Sequence, residues 1–143
     1  MSTANPEIVV GFDDSVGAAA ALQQAIALAD RMGSDLVLVF CTEPPSASAG
    51  GAGDQRDVIA SIAEEVLGRA NALAHSAGVT SRGEVVAGRP VEGLIAVADG
   101  VDAVMIVVGH HGEGPLRGAL LGATANRLLN QAERPVLVVP ATE

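Results

Sequence analysis

The chain has no lysine, no tryptophan and no tyrosine, and only one cysteine and two phenylalanines in 143 residues. Each absence excludes something. Without lysine, the phosphate loop GxxxxGK[ST] cannot exist, because its lysine reaches the outer phosphates. With Cys41 alone, there is no internal disulfide and no cysteine-rich metal set. No apolar run approaches the roughly 20 residues that a membrane helix needs. The opening MSTANPEIVV carries no positive segment of the kind that starts a secretion signal, so a cytoplasmic location is expected. Basic residues are scarce as well: eight arginines face 17 acidic residues, for a net charge of −9. Nucleic acid is bound through basic surfaces, so it is not an expected partner.

What remains is rich in Ala, Val, Leu and Gly and divides into alternating patterns. Glu7 to Phe12, Asp35 to Cys41, Ala103 to Val108 and Pro135 to Val139 are short apolar runs suited to strands buried on both faces. Val79 to Ala87 is a weaker strand, its Ser81, Arg82 and Glu84 suiting a sheet edge. Between these lie helical patterns. Ala18 to Met32 places Ala21, Leu22, Ala25, Ile26 and Ala29 on one face, with Asp13, Asp14 and Ser15 offering cap oxygens before it. After a Pro/Gly/Ser-rich loop, Thr42 to Gly53, the stretch Asp54 to Ala77 carries a stripe of Ile59, Ile62, Ala63, Val66, Ala70, Leu73 and Ala74. Pro90 opens a helix whose apolar face is Val91, Leu94, Ile95 and Ala98 and which Gly100 ends. Asn126 to Ala132 reads as the last helix.

The order β-α-β-α-β-α-β-α-β over 143 residues predicts one α/β domain: a five-stranded parallel sheet in three layers, with helices on both faces. Ligands of such sheets lie beyond the carboxyl ends of the strands, where strand order reverses. Two strand ends stand out there. The first strand runs into GFDDS, not into the dinucleotide fingerprint GxGxxG. The fourth runs into Gly109 and a turn containing Gly112, Gly114, Gly118 and Gly122, followed by a helix. Glycines admit close backbone approach, and a helix start offers unpaired N–H groups to an anion, so a main-chain phosphate site is the reading. The alternative is an ordinary turn. His110 and His111 are adjacent, with no third metal-binding side chain near in sequence, so they read as loop residues and not as metal ligands. Phe12 and Phe40 fall at strand ends, either as core or as walls of a base pocket; Cys41 reads as a core thiol.

Over essentially its whole length the chain resembles the universal stress protein family. Asp13 with Ser15, the segment VVAGRPVEGLIAVADGVDAVMIVVG and the terminal RPVLVVP carry the resemblance. So does the spacing G-x2-G-x9-G, which Gly109, Gly112 and Gly122 fit. The resemblance implies a Rossmann-like fold of the adenine nucleotide alpha hydrolase type with strand order 3-2-1-4-5, and an adenine nucleotide as ligand: ATP, ADP or AMP, with Mg2+ carried by the nucleotide. It places the nucleoside against Gly11, Phe12 and Asp13, the adenine edge at Cys41, and the ribose and phosphates against Gly109, His111, Gly112, Gly122, Ala123, Thr124 and Ala125, with Arg117 as the loop's cation. It also implies a homodimer joined through Pro135, Val136, Leu137, Val138 and Val139, and a regulatory role in stress or dormancy with at most slow ATP hydrolysis. The chain departs from the family pattern at Ala123, where a hydroxyl is usual, at His110, where a small residue is common, and at Glu113, an acid in the loop. These departures suggest weakened binding and a preference for AMP or ADP. They also support an alternative, a nucleotide-independent dimeric interaction module. An adenylating enzyme of related fold ranks below both, since FDDSVG lacks a Ser-Gly-Gly-rich phosphate loop.

Overall fold

A computed structural model describes residues 5–42, 52–110 and 122–141, apart from the side chains of 52–56. Five strands form one parallel sheet: β1 (Glu7–Gly11), β2 (Asp35–Thr42), β3 (Ser81–Ala87), β4 (Met105–Gly109) and β5 (Val136–Val139). Their order is β3-β2-β1-β4-β5, as expected. Four helices connect them: α1 (Val16–Met32), α2 (Ala52–Ser76), α3 (Pro90–Val101) and α4 (Ala123–Gln131).

Because successive strand side chains point to opposite faces, each central strand feeds two cores. Ile8, Val10, Leu36 and Leu38 pack against α1 and α2. Val9, Val37, Val39, Ile106 and Val108 pack against α3 and α4. Both sets are almost fully buried, which is why these strands read as unbroken apolar runs. β3 lies at one edge and β5 at the other. The half-polar pattern of β3 is therefore what an edge permits.

Several details differ from the sequence reading. On α2 the buried stripe is Ala63, Val66, Leu67, Ala70 and Ala74, while Ile62 and Leu73 are 48% and 57% exposed. The sheet-facing line runs one residue further on at Leu67, which fills the space beside Gly83; a Cβ there would stand 3.1 Å from Leu67 Cδ1. α3 runs through Gly100 and ends at Asp102, which takes the left-handed conformation with φ 52°. Asp14 caps nothing; it too is left-handed, with φ 65°. Ser15 is the cap of α1, its Oγ accepting from the Ala18 N–H at 3.1 Å. α4 starts at Ala123, three residues before the expected start, and the expected loop after β2 falls largely outside the described residues.

Away from the strands' carboxyl ends, Arg134 ties the start of β5 to α3. Its guanidinium meets Asp99 at 3.1 Å, Asp102 at 3.0 Å and the carbonyl of Ala103 at 2.8 Å. The hydrogen bond to Asp102, then that to Asp99, holds its pKa above the ordinary arginine value. The guanidinium stays charged at any working pH.

Candidate functional site

β1 pairs with β2 on one side and with β4 on the other, so the chain's crossovers leave β1 in opposite directions. A crevice must open between β1 and β4 at their carboxyl ends. It is present, with about 570 Å3 of space including its mouth.

The floor is apolar. Val39 comes from β2, Val108 from β4, and Pro90 and Leu94 from α3. Gly11 keeps it open, because a Cβ there would meet Leu94 Cδ1 at 3.1 Å and Val108 Cγ1 at 3.2 Å. Cys41 is half-buried on the wall, its thiol 4.0 Å from the carbonyl of Pro90. A Cβ on Gly93 would come within 2.8 Å of that sulfur, so the glycine lets α3 close over it. Cys41 is thus both a packed thiol and a wall residue. Odd-numbered β2 residues bond toward β1, as in the Phe12 N–H to Val39 carbonyl contact at 2.9 Å. The peptide groups of Cys41, two residues on, point to the same side, beyond the last β1–β2 pair at Gly11 and Val39.

Of the two aromatics, Phe12 reaches the crevice, while Phe40 packs with the α1/α2 core.

The polar groups sit at the rim. Asp13 is exposed and lines the crevice. Its Oδ1 accepts the Ser15 N–H at 3.0 Å, and its other oxygen has no partner among the described residues. Ser15, and not Asp13, is thus the cap of α1; Asp13 closes the turn before it, and the ligand reading of its carboxylate is left open by this. Asp13 is the only charged side chain among the described wall residues.

The helix starts at this end differ in what they offer an anion. α1 is capped by Ser15, and α3 begins at Pro90, which has no N–H. α4 begins after Gly122, which has no side chain to cap it. Gly122 therefore supplies no side-chain acceptor to the first-turn N–H groups of α4. Thr124 of this turn lines the crevice, whereas Ala125 is 2% exposed and its methyl belongs to the core, leaving only its main chain for a ligand. Gly122 and Ala123 adjoin the described wall without being part of it. His110 donates its N–H to the Val139 carbonyl at 2.7 Å and accepts from the Gly122 N–H at 3.0 Å, so the chain leaves the sheet and returns within one hydrogen bond.

Gly109 serves a purpose that the sequence did not reveal. A Cβ there would lie 2.6 Å from the carbonyl carbon of Gly17 and 2.7 Å from its oxygen. The first turn of α1 rests directly on the end of β4, backbone on backbone.

The crevice thus gathers Gly11, Phe12, Asp13, Cys41, Gly109 and Thr124 of the expected set. His111, Gly112 and Arg117 lie outside the described residues, as does Glu113. Val39, Pro90, Leu94 and Val108 are wall residues that sequence reasoning left in the core or at a helix start. The signal that could have found them is their place at the carboxyl ends of neighbouring strands and at the start of a crossover helix. No group of three or more His, Cys, Asp or Glu suited to a metal occurs among the described residues. None of their helices is long and apolar enough to cross a membrane.

Strand order, layering and the crevice at the reversal point define a Rossmann-like, doubly wound α/β protein. More narrowly, residues 5–140 match the universal stress protein family, and the chain belongs to that family. It is 30% identical over 143 residues to the universal stress protein Rv1636 of Mycobacterium tuberculosis strain H37Rv, covering 94% of this chain and 96% of the relative. Among solved structures it is similar to a universal stress protein in complex with cAMP, at 29% identity and a TM-score of 0.73, covering 98% and 100% of the two chains. UspA from Lactobacillus plantarum shares the fold at a TM-score of 0.84 and 19% identity, over 96% and 99% of the two chains.

Proposed function

We propose that the crevice between β1 and β4 binds an adenine nucleotide, and that the protein acts as a nucleotide-responsive regulator in stress or dormancy. The observation that carries this is the pairing, across one apolar crevice, of the Asp13 carboxylate with the uncapped start of α4. A carboxylate accepts hydrogen bonds and repels phosphate, so Asp13 takes a ribose hydroxyl. A helix start attracts the phosphate. The relative solved with cAMP supports an adenine ligand. In this reading the base lies at Cys41 and Phe12, the ribose at Gly11 and Asp13, and the phosphate at Gly109, Gly122, Ala123, Thr124 and Ala125, with His111, Gly112 and Arg117 completing the loop.

Selectivity follows from charge. Asp13 stands on the wall, Glu113 is in the loop and Arg117 is the loop's one cation, so each added phosphate gains little. AMP and ADP are favoured over ATP, and any Mg2+ enters with the nucleotide. Ala123 lacks the hydroxyl usual in the family, which removes a hydrogen bond to charge worth roughly 1.5–3 kcal/mol. Chain 1–143 acts as a single cytoplasmic domain and dimerises through the β5 edge, Pro135 to Val139. Hydrolysis of ATP is at most slow, since no lysine exists to draw charge from the outer phosphates.

A nucleotide-independent dimeric module is the second reading. It is favoured by the Gly109–Gly17 contact, which accounts for that glycine by packing alone. One measurement separates the two. Lacking Trp and Tyr, the protein barely absorbs in the near ultraviolet. A nucleotide band released by acid, or a thermal shift on adding AMP, ADP, ATP or cAMP, is the expected result. A featureless spectrum together with no shift for any of the four would leave the interaction module.

A further inference from the structure

The turn that presents Asp13 is fastened from three sides. The Phe12 N–H binds the Val39 carbonyl at 2.9 Å, anchoring the turn to β2. The Ser15 N–H binds Asp13 Oδ1 at 3.0 Å, closing the turn on itself. Between Asp13 and Ser15 stands Asp14, left-handed at φ 65°. That conformation crowds Cβ against the backbone and is disfavoured for any residue but glycine, though Asp tolerates it better than most. The third fastening acts on this residue. Arg69 of α2, 55 positions away in sequence, reaches Asp14 Oδ2 with Nη2 at 2.9 Å. Its Nη1 lies 3.4 Å from Glu65, one turn back on the same helix, which steadies the guanidinium.

We infer that Arg69 is a positioning residue for the ligand site. By gripping Asp14 from α2, it selects the left-handed turn and so keeps the Asp13 carboxylate on the crevice wall. Arg69 is not among the described wall residues; it acts through its neighbour. As regards ligand affinity, this inference rests on the nucleotide reading above. Both partners of the pair are about half exposed, so the grip is modest. An exposed ion pair supplies an effect of about two- to fivefold.

The test compares Arg69→Met, which keeps the stem and loses the charge, with Arg69→Lys and with both changes in an Asp14→Gly background. Glycine adopts φ 65° freely and offers Arg69 no carboxylate. Arg69→Met is expected to weaken AMP binding about two- to fivefold while leaving 2′,3′-dideoxy-AMP unchanged, because only the hydroxylated sugar uses Asp13. Arg69→Lys recovers most of the loss. In the Asp14→Gly background, Arg69→Met changes nothing. Without any ligand, hydrogen exchange at the Ser15 amide rises by a similar factor in Arg69→Met and not in Arg69→Lys. Equal loss for AMP and its dideoxy form, or a Ser15 amide indifferent to Arg69, overturns the inference. If the unaltered protein binds no adenine nucleotide, the nucleotide reading fails by itself, and the Ser15 amide still decides whether Arg69 fixes the Asp13 turn.

Discussion

Replacing Gly109 by alanine separates a glycine required by packing from one required by a ligand. The new Cβ would lie 2.6 Å from the carbonyl carbon of Gly17, 2.7 Å from its oxygen and 3.0 Å from its Cα. All three are backbone atoms of α1's first turn, so no side chain can swing aside. Restoring ordinary contact requires that turn to retreat by roughly 0.8 Å. Ala18, Ala21, Leu22 and Ala25, all buried against the sheet, oppose the retreat. Gly109 does not have a positive φ, so alanine meets no conformational penalty and the effect is steric alone. Overpacking of this kind costs typically about 1–3 kcal/mol. At this chain length, between the size classes for which each kcal/mol is worth about 4–8 °C and about 2–4 °C, the expected fall in Tm is about 4–12 °C. The absence of Trp and Tyr makes far-ultraviolet circular dichroism the suitable readout. The melt is run on protein stripped of nucleotide, so that a lost ligand cannot imitate the loss. A Tm within about 1 °C of the parent would refute the backbone contact and return Gly109 to a purely ligand-facing role.

The neighbouring Gly11→Ala gives the opposite signature, because its Cβ meets only the ends of Leu94 and Val108. Stability changes by less than about 1.5 kcal/mol in a denaturant titration, while AMP affinity measured by calorimetry falls as the crevice narrows. Ser15→Ala removes the α1 cap and lowers stability by about 1 kcal/mol, read from the urea midpoint, with Ser15→Asp restoring most of it. Leu38→Ala costs about 2–5 kcal/mol, since Leu38 is fully buried, whereas Leu73→Ala on exposed α2 surface stays within about 0.5 kcal/mol. Equal effects at the two leucines would contradict the placement of α2.

The layered sheet was legible because its signal is repetitive. Each central strand is an apolar run, each helix a periodic stripe, and β3 alone is half polar. The errors fell where two residues compete for one role. Hydrophobicity alone puts Ile62 and Leu73 in the α2 stripe, but helix rotation assigns that line to Leu67. Gly100 has the composition of a helix end, yet Asp102 takes the left-handed position. Glycine is merely the commonest residue there, and aspartate tolerates it. In the crevice, Asp13 and Gly109 were legible from their places at strand ends, and Thr124 only through the family resemblance. Leu94, Val108 and Pro90 were not, because a wall residue and a core residue look alike in one dimension. Nor was the contact between Gly17 and Gly109: a glycine's spacing states that room is needed, not what fills it.

The hydrogen bond from Gly122 to the His110 carbonyl has an evolutionary corollary. Since it fastens both ends of the connection between β4 and α4, the entropic cost of lengthening the intervening segment grows only logarithmically, by about 0.6 kcal/mol for each doubling. Changes in length between positions 110 and 122 therefore cost the fold little. The sheet, the α4 start and the Asp13 turn keep their places through such changes.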